Sequence, residues 1–323
     1  MHQIACRILI ALGAAPTLVF AGKGLAAGAV RSLAMPAASH SLETLSRDVR
    51  AVAVQDGRLV ALPAGEAFVM LTPFHPGGKT RLATFGKITD STRAPLVSAG
   101  EPFRWAGLFL DTNKALLLEG ERLTLFEEDP KTWKEVLRRT VAWDLILPPR
   151  DRGGEATRPE IQALRARFKK AFKATAGSRV TGMVRLPFAE GKALAGNYLL
   201  ATRVKGFPLV LMRCDRQAIS QCLVLRQCDV PRIKDLSASG ISGVGVSAKR
   251  HEVLLMDATK RRILRFAYSS CSSLRFKGEL RLPAKLKRPA NLTVDTADRL
   301  WVATEVPDDY LNASLYYWDA ASW

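Results

Sequence analysis

Five stretches of the chain share one pattern: a short apolar run, a polar turn and a second apolar run, usually followed by a third. The runs consist mainly of Val, Leu, Ile, Met and aromatic residues, and Gly, Asp, Asn or Lys bound them. Such runs predict β-strands. Because most are apolar throughout rather than alternating, they indicate strands buried on both faces, as in sheets stacked face to face.

The internal order of these stretches repeats along the chain, which is typical of a β-propeller. Leu254 and Leu300, in matching runs, are separated by about one blade length, which is roughly 40–50 residues. A β-sandwich is the main alternative, but its strands would not share one repeated order of strand, turn and strand. The sequence therefore predicts an all-β propeller of five or six blades over residues 46–323, preceded by a flexible segment at residues 22–45.

Residues 144–178 break the strand pattern and predict an exposed loop followed by an amphipathic helix. Pro159 and Glu160 are residues that favour a helix start, and Gly177 is a plausible stop. The apolar residues at helical spacing are Ile161, Leu164, Phe168 and Phe172. The basic residues on the other faces are Arg165, Arg167, Lys169, Lys170 and Lys173. Two interpretations stay open: the helix covers the propeller with its charges in water, or its basic face binds an anionic membrane or partner.

The N-terminus has the three-part pattern of a secretory signal peptide, predicted over residues 1–21. A basic start is followed by the apolar run 8–20, and Ala21 is a suitable residue for a cleavage site. The run is too short for a comfortable membrane span, although an uncleaved N-terminal anchor is the alternative. We expect a secreted or periplasmic protein with no transmembrane span after cleavage.

Four cysteines remain once the predicted signal peptide is removed, and an even number in an exported protein favours two disulfides. Cys214 ends one predicted strand and Cys222 begins the next, so a short hairpin would bring them within bonding distance. Cys228 follows the outer strand of that blade, and Cys271 lies in the next blade. The predicted pairs are Cys214–Cys222 and Cys228–Cys271.

Composition adds a strongly basic balance, with 48 Lys and Arg against 30 Asp and Glu and a net charge of +18. This balance favours encounters with anionic surfaces, polysaccharides or proteins. The basic residues are scattered along most of the chain, so specific nucleic-acid binding is not expected.

Two sets of predicted strands have sequences that resemble the blades of a known superfamily. Residues 241–247, 252–257 and 262–266 resemble blades of the gluconolactonase, paraoxonase and strictosidine synthase-like propellers, and residues 289–295 with 299–304 are similar to another blade of that group. NHL-type propellers share much of the pattern. The resemblance implies a propeller architecture more than an activity.

Enzymes of that superfamily hold a calcium ion on the propeller axis through Glu, Asn and Asp residues at the starts of inner strands. On this resemblance Asn291 matches one ligand position, and Ser242 stands where the enzymes usually have Asn. Glu101 would supply an acidic ligand. The pattern lacks most of the calcium ligands, and a site short of ligands would bind the ion weakly.

The sequence contains none of the motifs typical of hydrolase, metalloprotease, phosphate-binding or dinucleotide-binding sites, and the catalytic residues stay unknown. We therefore predict a monomeric, non-enzymatic binding module without a cofactor that recognises a protein, a glycan or an anionic surface. The alternative is a calcium-dependent lactonase or esterase of the same fold.

Overall fold

The computed structural model describes part of the chain, and structural statements refer to that part. The described residues are 29–36, 39–41, 49–55, 58–63, 69–71, 82–83, 107–111, 114–119, 122–129, 132–140, 159–175, 180–187, 196–214, 222–231, 236–237, 241–286, 288–304 and 314–323. No helix within these ranges is long and apolar enough to cross a membrane.

The described strands form five sheets. Two strands from the N-terminal part join sheets formed by later residues: β1 (Ala29–Ser32) and β2 (Ser39–Ser41). One sheet contains β3 (Val49–Gln55), β4 (Arg58–Pro63), β5 (Val69–Leu71) and β6 (Leu82–Ala83). The next contains β7 (Gly107–Asp111), β8 (Lys114–Glu119), β9 (Arg122–Asp129) and β10 (Thr132–Thr140).

The helix α1 (Pro159–Ala174) precedes the three remaining sheets. The first contains β11 (Val180–Arg185), β12 (Gly196–Thr202), β13 (Leu209–Cys214) and β14 (Cys222–Gln227). The second contains β15 (Ile241–Ser247), β16 (Glu252–Asp257), β17 (Arg262–Ser270) and β18 (Ser273–Arg281), with β1 as a fifth strand. The last contains β19 (Pro289–Val294), β20 (Leu300–Thr304) and β21 (Ser314–Trp318), with β2 as its fourth strand.

The first strands of the five sheets contact one another in a ring. β3 contacts β7, β7 contacts β11, β11 contacts β15, β15 contacts β19, and β19 contacts β3. Within each sheet, strands that are consecutive in the chain lie side by side and pair antiparallel. This arrangement is propeller-like, and the prediction of a mainly β protein with an inserted helix is confirmed for the described residues.

Apolar residues fill the spaces between neighbouring sheets, as expected for strands buried on both faces. One cluster joins the sheets that begin with β11 and β15 through residues such as Leu199, Leu211, Val244 and Phe266. Another joins the sheets that begin with β15 and β19 through Leu254, Met256, Leu292 and Val302. The continuous apolar runs therefore reflect packing on two neighbours rather than on one.

Glycines allow the first strands to approach one another closely. A Cβ on Gly182 of β11 would lie 2.8 Å from the backbone nitrogen of Val244, and one on Gly243 of β15 would lie 2.9 Å from that of Leu292. Since backbone atoms cannot move aside as a flexible side chain can, any larger residue would push the strands apart. The ring is tight at β11, β15 and β19.

Two short strands lie within the N-terminal segment. Residues 22–45, predicted to be a flexible segment, contain both β1 and β2, and the rest of that prediction stays open. Leu33, between them, is buried, and the indole nitrogen of Trp318 donates a hydrogen bond to the carbonyl of Ala34 at 2.7 Å. These strands are only four and three residues long, and partners distant in sequence determine their pairing, so the local pattern does not reveal them.

A disulfide joins Cys228 to Cys271, with 4.4 Å between their Cα atoms, and so links the sheet of β11–β14 to that of β15–β18. Cys214 is also disulfide-bonded, and the residue opposite it in the β13–β14 pair is Cys222. The side chain of Cys222 lies outside the described part, so the Cys214–Cys222 pairing stays a prediction.

Candidate functional site

Four of the five first strands carry a β-bulge at their second residue. The extra residues are Arg50 in β3, Thr181 in β11, Ser242 in β15 and Ala290 in β19. A bulged residue has no partner in the ladder, so its side chain is aimed differently from those of its neighbours. The four bulges lie at the same end of the ring, the end at which the first strands begin.

Asn291 connects three of these strands at that end. Its side-chain nitrogen donates a hydrogen bond of 3.2 Å to the backbone carbonyl of Thr181, which lies two first strands away. The side-chain oxygen of Asn291 lies 3.2 Å from the position that a Cβ on Gly243 would occupy. A glycine in β15 therefore leaves room for the amide to reach past that strand to β11.

Two hydroxyl groups next to this amide are buried and unpaired. Thr181 and Ser242 are both 0% exposed. Neither Thr181 Oγ1 nor Ser242 Oγ has a hydrogen-bond partner among the described residues. We call Thr181, Ser242 and Asn291 the axial cluster. It combines two hydroxyls and one carboxamide, and none of the three carries a charge.

The axial cluster bears on the calcium prediction. Asn291 and Ser242 lie on the neighbouring first strands β19 and β15, whereas Glu101 lies outside the described residues. Calcium prefers six to eight oxygen ligands that include carboxylates. Within the described part, no group of three or more His, Cys, Asp or Glu side chains could hold a metal ion. The neutral oxygens of the axial cluster therefore do not by themselves fit calcium.

Basic side chains surround the same end of the molecule. Two turns at this end join the second and third strands of their sheets, and a third segment leads into β19. Exposed basic residues in these segments are Lys205, Lys260, Lys285 and Arg288. Arg203 and Arg261 are half-buried and donate hydrogen bonds to backbone carbonyls, so they stabilise the segments that carry the exposed charges.

Helix α1 lies at this end as well. The rings of Phe168 and Phe207 meet edge to face with centroids 5.0 Å apart, and Phe207 belongs to the turn after β12. Phe168 and Phe172 are buried against residues of the sheets that begin with β7 and β11. The opposite faces expose Arg167, Lys169, Lys170 and Lys173. The helix thus covers the sheets and displays basic charge at once, so the two interpretations of its sequence are compatible.

We call the exposed basic residues of α1 and the three segments the basic arc. Lys170, Lys173, Lys205 and Lys285 make no ion pair with any residue that the structure describes. Asp229 is the exposed acidic residue described along the arc. An uncompensated group of like charges produces a potential that attracts anions.

The other end of the ring has a different charge pattern. Arg250 pairs with Asp298 at 2.7 Å, and Arg299 pairs with Asp295 at 2.6 Å. The charges of these turns are therefore largely compensated by their own neighbours. Exposed basic residues also lie away from the basic arc, at Lys249 in the turn of Arg250 and at Arg275 and Lys277 on β18, so the arc differs in the number of basic residues that it brings together at one end.

Some of the residues described here are also among those that the sequence predicts. Asn291 and Ser242 were proposed as metal ligands, and four of the five predicted basic helix residues are exposed; the side chain of Arg165 is not described. Thr181 was missed, although it occupies the same position in its strand as Ser242 does. Lys205 and Lys285 were missed because their proximity to the helix depends on how the sheets assemble.

Comparisons with known proteins give no family. No protein-family model matches the sequence, and no curated protein matches it. Among solved structures, the chain is similar to a glutaminyl cyclase of Myxococcus xanthus at 8% identity, with 89% of this chain and 96% of that chain covered and a TM-score of 0.44.

Two further solved structures are similar. A GH43_1 enzyme of Xanthomonas citri is 12% identical over 87% of this chain and 89% of that chain, with a TM-score of 0.48. For the periplasmic gluconolactonase of Pseudomonas aeruginosa the identity is 13%, the coverage 76% and 59%, and the TM-score 0.38. At such identities and TM-scores, these similarities carry no inference about activity.

Proposed function

We propose that the protein is an exported, five-bladed β-propeller that binds an anionic partner through the basic arc. The five sheets and the ring of first strands support the blade number. The single observation that carries the function is the set of exposed lysines at one end that make no ion pair with a described residue, namely Lys170, Lys173, Lys205 and Lys285.

The proposal of export is supported by a disulfide bond as well as by the predicted signal peptide. A disulfide joins Cys228 to Cys271, and disulfides persist in oxidising compartments outside the cytoplasm. We propose a secreted or periplasmic location, in which the accessible anionic partners are acidic polysaccharides, lipid headgroups and acidic proteins.

Binding through the basic arc follows from ordinary electrostatics. Each basic side chain close to an anionic surface contributes about 1 kcal/mol. Lys170 and Lys173 lie on α1, and Lys205 lies in the neighbouring β12–β13 turn. None of the three makes an ion pair with a described residue. Their contributions are available to a ligand.

We expect Lys170→Glu/Lys173→Glu/Lys205→Glu to abolish most binding to vesicles of phosphatidylcholine and phosphatidylglycerol and to polygalacturonate. Losing three favourable contacts of about 1 kcal/mol each weakens binding by roughly 100-fold, and charge reversal adds repulsion. Co-sedimentation with vesicles and calorimetry with polygalacturonate measure both effects. Wild-type binding should also weaken with salt, since the Debye length falls from about 10 Å at 0.1 M to about 3 Å at 1 M.

The matched control is Lys249→Glu/Arg275→Glu/Lys277→Glu. It changes the net charge by the same amount at exposed positions in the β15–β16 turn and on β18, away from the basic arc. Equal loss of binding in the two variants would show that only total charge matters and would contradict a defined binding end.

The alternative function, a calcium-dependent lactonase or esterase, has its own test. We expect calcium to leave the melting temperature of the mature protein unchanged, because the described axial oxygens are neutral. Differential scanning fluorimetry with calcium and EDTA measures this. An EDTA-reversible increase that Asn291→Ala removes would favour the hydrolase.

A further inference from the structure

We propose that the ligand of the basic arc is a linear acidic polysaccharide, bound along a row of four cations. We call Lys173, Lys170, Arg167 and Lys205 the basic row. The first three lie on α1, Lys205 lies in the β12–β13 turn, and all four are exposed. This inference rests on the proposed function and adds to it the shape and the chemical class of the ligand.

The helical part of the basic row follows from the spacing of its residues. Arg167, Lys170 and Lys173 are three positions apart, and side chains at that spacing in a helix are neighbours, with about 5–6 Å between their Cβ atoms. The helix rises about 9 Å from the first of them to the last. Lys170 lies on the side of α1 opposite the buried rings of Phe168 and Phe172. Three cations therefore follow one another across the outward side of the helix.

Lys205 continues the basic row beyond the helix. The guanidinium carbon of Arg167 lies 5.9 Å from the centre of the Phe207 ring, so this side chain reaches the turn that contains Lys205. Phe207 is itself buried in edge-to-face contact with Phe168, and this contact attaches the turn to α1. Cations from two elements that are distant in sequence thus form one continuous row.

Hydrogen bonds fix the backbone that carries Lys205. The hydroxyl of Thr202 donates to the carbonyl of Phe207 and accepts from the backbone nitrogen of Val204 at 3.1 Å. The side-chain nitrogen of Gln227 donates to the carbonyl of Gly206 at 3.1 Å. A fixed spacing of cations favours a ligand whose charges also have a fixed spacing, because less conformational entropy is lost on binding. A stiff sugar chain with regularly spaced carboxylates meets this condition, whereas a flexible acidic peptide would have to become ordered.

A membrane surface fits the basic row less well than a polymer does. Helices that lie on membranes bury their apolar face in the lipid. In α1 that face is occupied, because Phe168 and Phe172 pack against residues of the sheets. The exposed residues beside the lysines include Ala166 and Ala174, whose small side chains let a polymer approach the helix closely. The basic row therefore offers charge without an apolar surface that could enter a bilayer.

The test measures, by calorimetry, how galacturonate oligomers of increasing length bind the mature protein. We expect affinity to increase about two- to fivefold with each added unit, the effect of one exposed ion pair, until all four cations are engaged, and more slowly beyond that length. Lys170→Gln should weaken binding of the oligomer at which the increase slows by about two- to fivefold, for the same reason. Lys277→Gln, on β18 and outside the basic arc, is the matched control and should leave this binding unchanged.

Lys285→Gln separates the basic row from the rest of the basic arc. Lys285 lies in the segment before β19, so its replacement should weaken binding of the same oligomer less than Lys170→Gln does. An equal loss in the two variants would contradict a row. Equal affinity for oligomers of every length would also overturn it, because the ligand would then contact a single cation. If polyglutamate with the same number of carboxylates binds as tightly as the oligomer, the ligand is an acidic protein segment instead.

The basic row and the proposed function fail in different ways. If the wild type binds neither polygalacturonate, nor polyglutamate, nor phosphatidylglycerol vesicles, the proposed function fails and the basic row fails with it. If vesicles or polyglutamate bind through the basic arc, while galacturonate oligomers do not bind or show no dependence on length, the proposed function stands and only the basic row is refuted.

Discussion

Replacing both Cys228 and Cys271 with alanine is expected to lower the free energy of unfolding by about 4 kcal/mol. The bond closes a loop with a sequence separation of 43 residues, and the chain-entropy model assigns a stabilisation of that size to such a loop. The bond also lies at a junction between sheets, where the backbone nitrogen of Asp229 donates to the carbonyl of Cys271 at 2.8 Å. Denaturant unfolding of the oxidised wild type and the double variant measures the difference.

Single alanine variants are the controls, because each removes the bond and leaves one thiol. They should lose nearly as much stability as the double variant. A loss below about 1 kcal/mol in the double variant would mean that packing between the two sheets, rather than the covalent link, maintains the junction.

Arg250→Ala is expected to cost about 3–5 kcal/mol, the range found when one partner of a buried ion pair is removed. The Arg250 guanidinium lies 3.8 Å from the ring centroid of Trp323 and pairs with Asp298, which is 4% exposed. It also donates to backbone oxygens of Ala320 and Trp323. Its loss would leave the Asp298 carboxylate buried beside Ser247 without its cation. Urea unfolding followed by tryptophan fluorescence measures the change.

Lys249→Ala is the neighbouring control. Lys249 is exposed in the same turn, and we expect its replacement to change stability by less than about 0.5 kcal/mol. A double-mutant cycle with Asp298→Asn isolates the ion pair from the contacts with Trp323. If Arg250→Ala matches Lys249→Ala, the contacts around Trp323 do not stabilise the protein.

Most of the strands could be predicted because their residues are locally informative. The runs around Leu254 and Leu300 are apolar throughout, and strands packed between two neighbours require that pattern. Helix α1 was also predictable, since Phe168 and Phe172 have helical spacing and Pro159 occupies its first position. Its observed end at Ala174 precedes the predicted stop at Gly177.

Features that depend on distant contacts were not predictable. The polar segment containing β2 has no strand pattern of its own, and only its pairing with β21 makes it a strand. Thr181 resembles any threonine at a strand start until the β-bulge and the Asn291 hydrogen bond place it beside Ser242. The basic arc depends in the same way on which turns the sheets bring to one end.

The pairing of β2 with β21 also sets an order of events in folding. Ser39 lies opposite Tyr316, so the last sheet lacks its fourth strand until almost the whole chain is available. Contacts of such large sequence separation form slowly, because the entropy of closing a long loop opposes them. For a protein exported as proposed, we therefore expect a chain that still lacks its C-terminal strand to leave β2 unpaired and this last sheet incomplete.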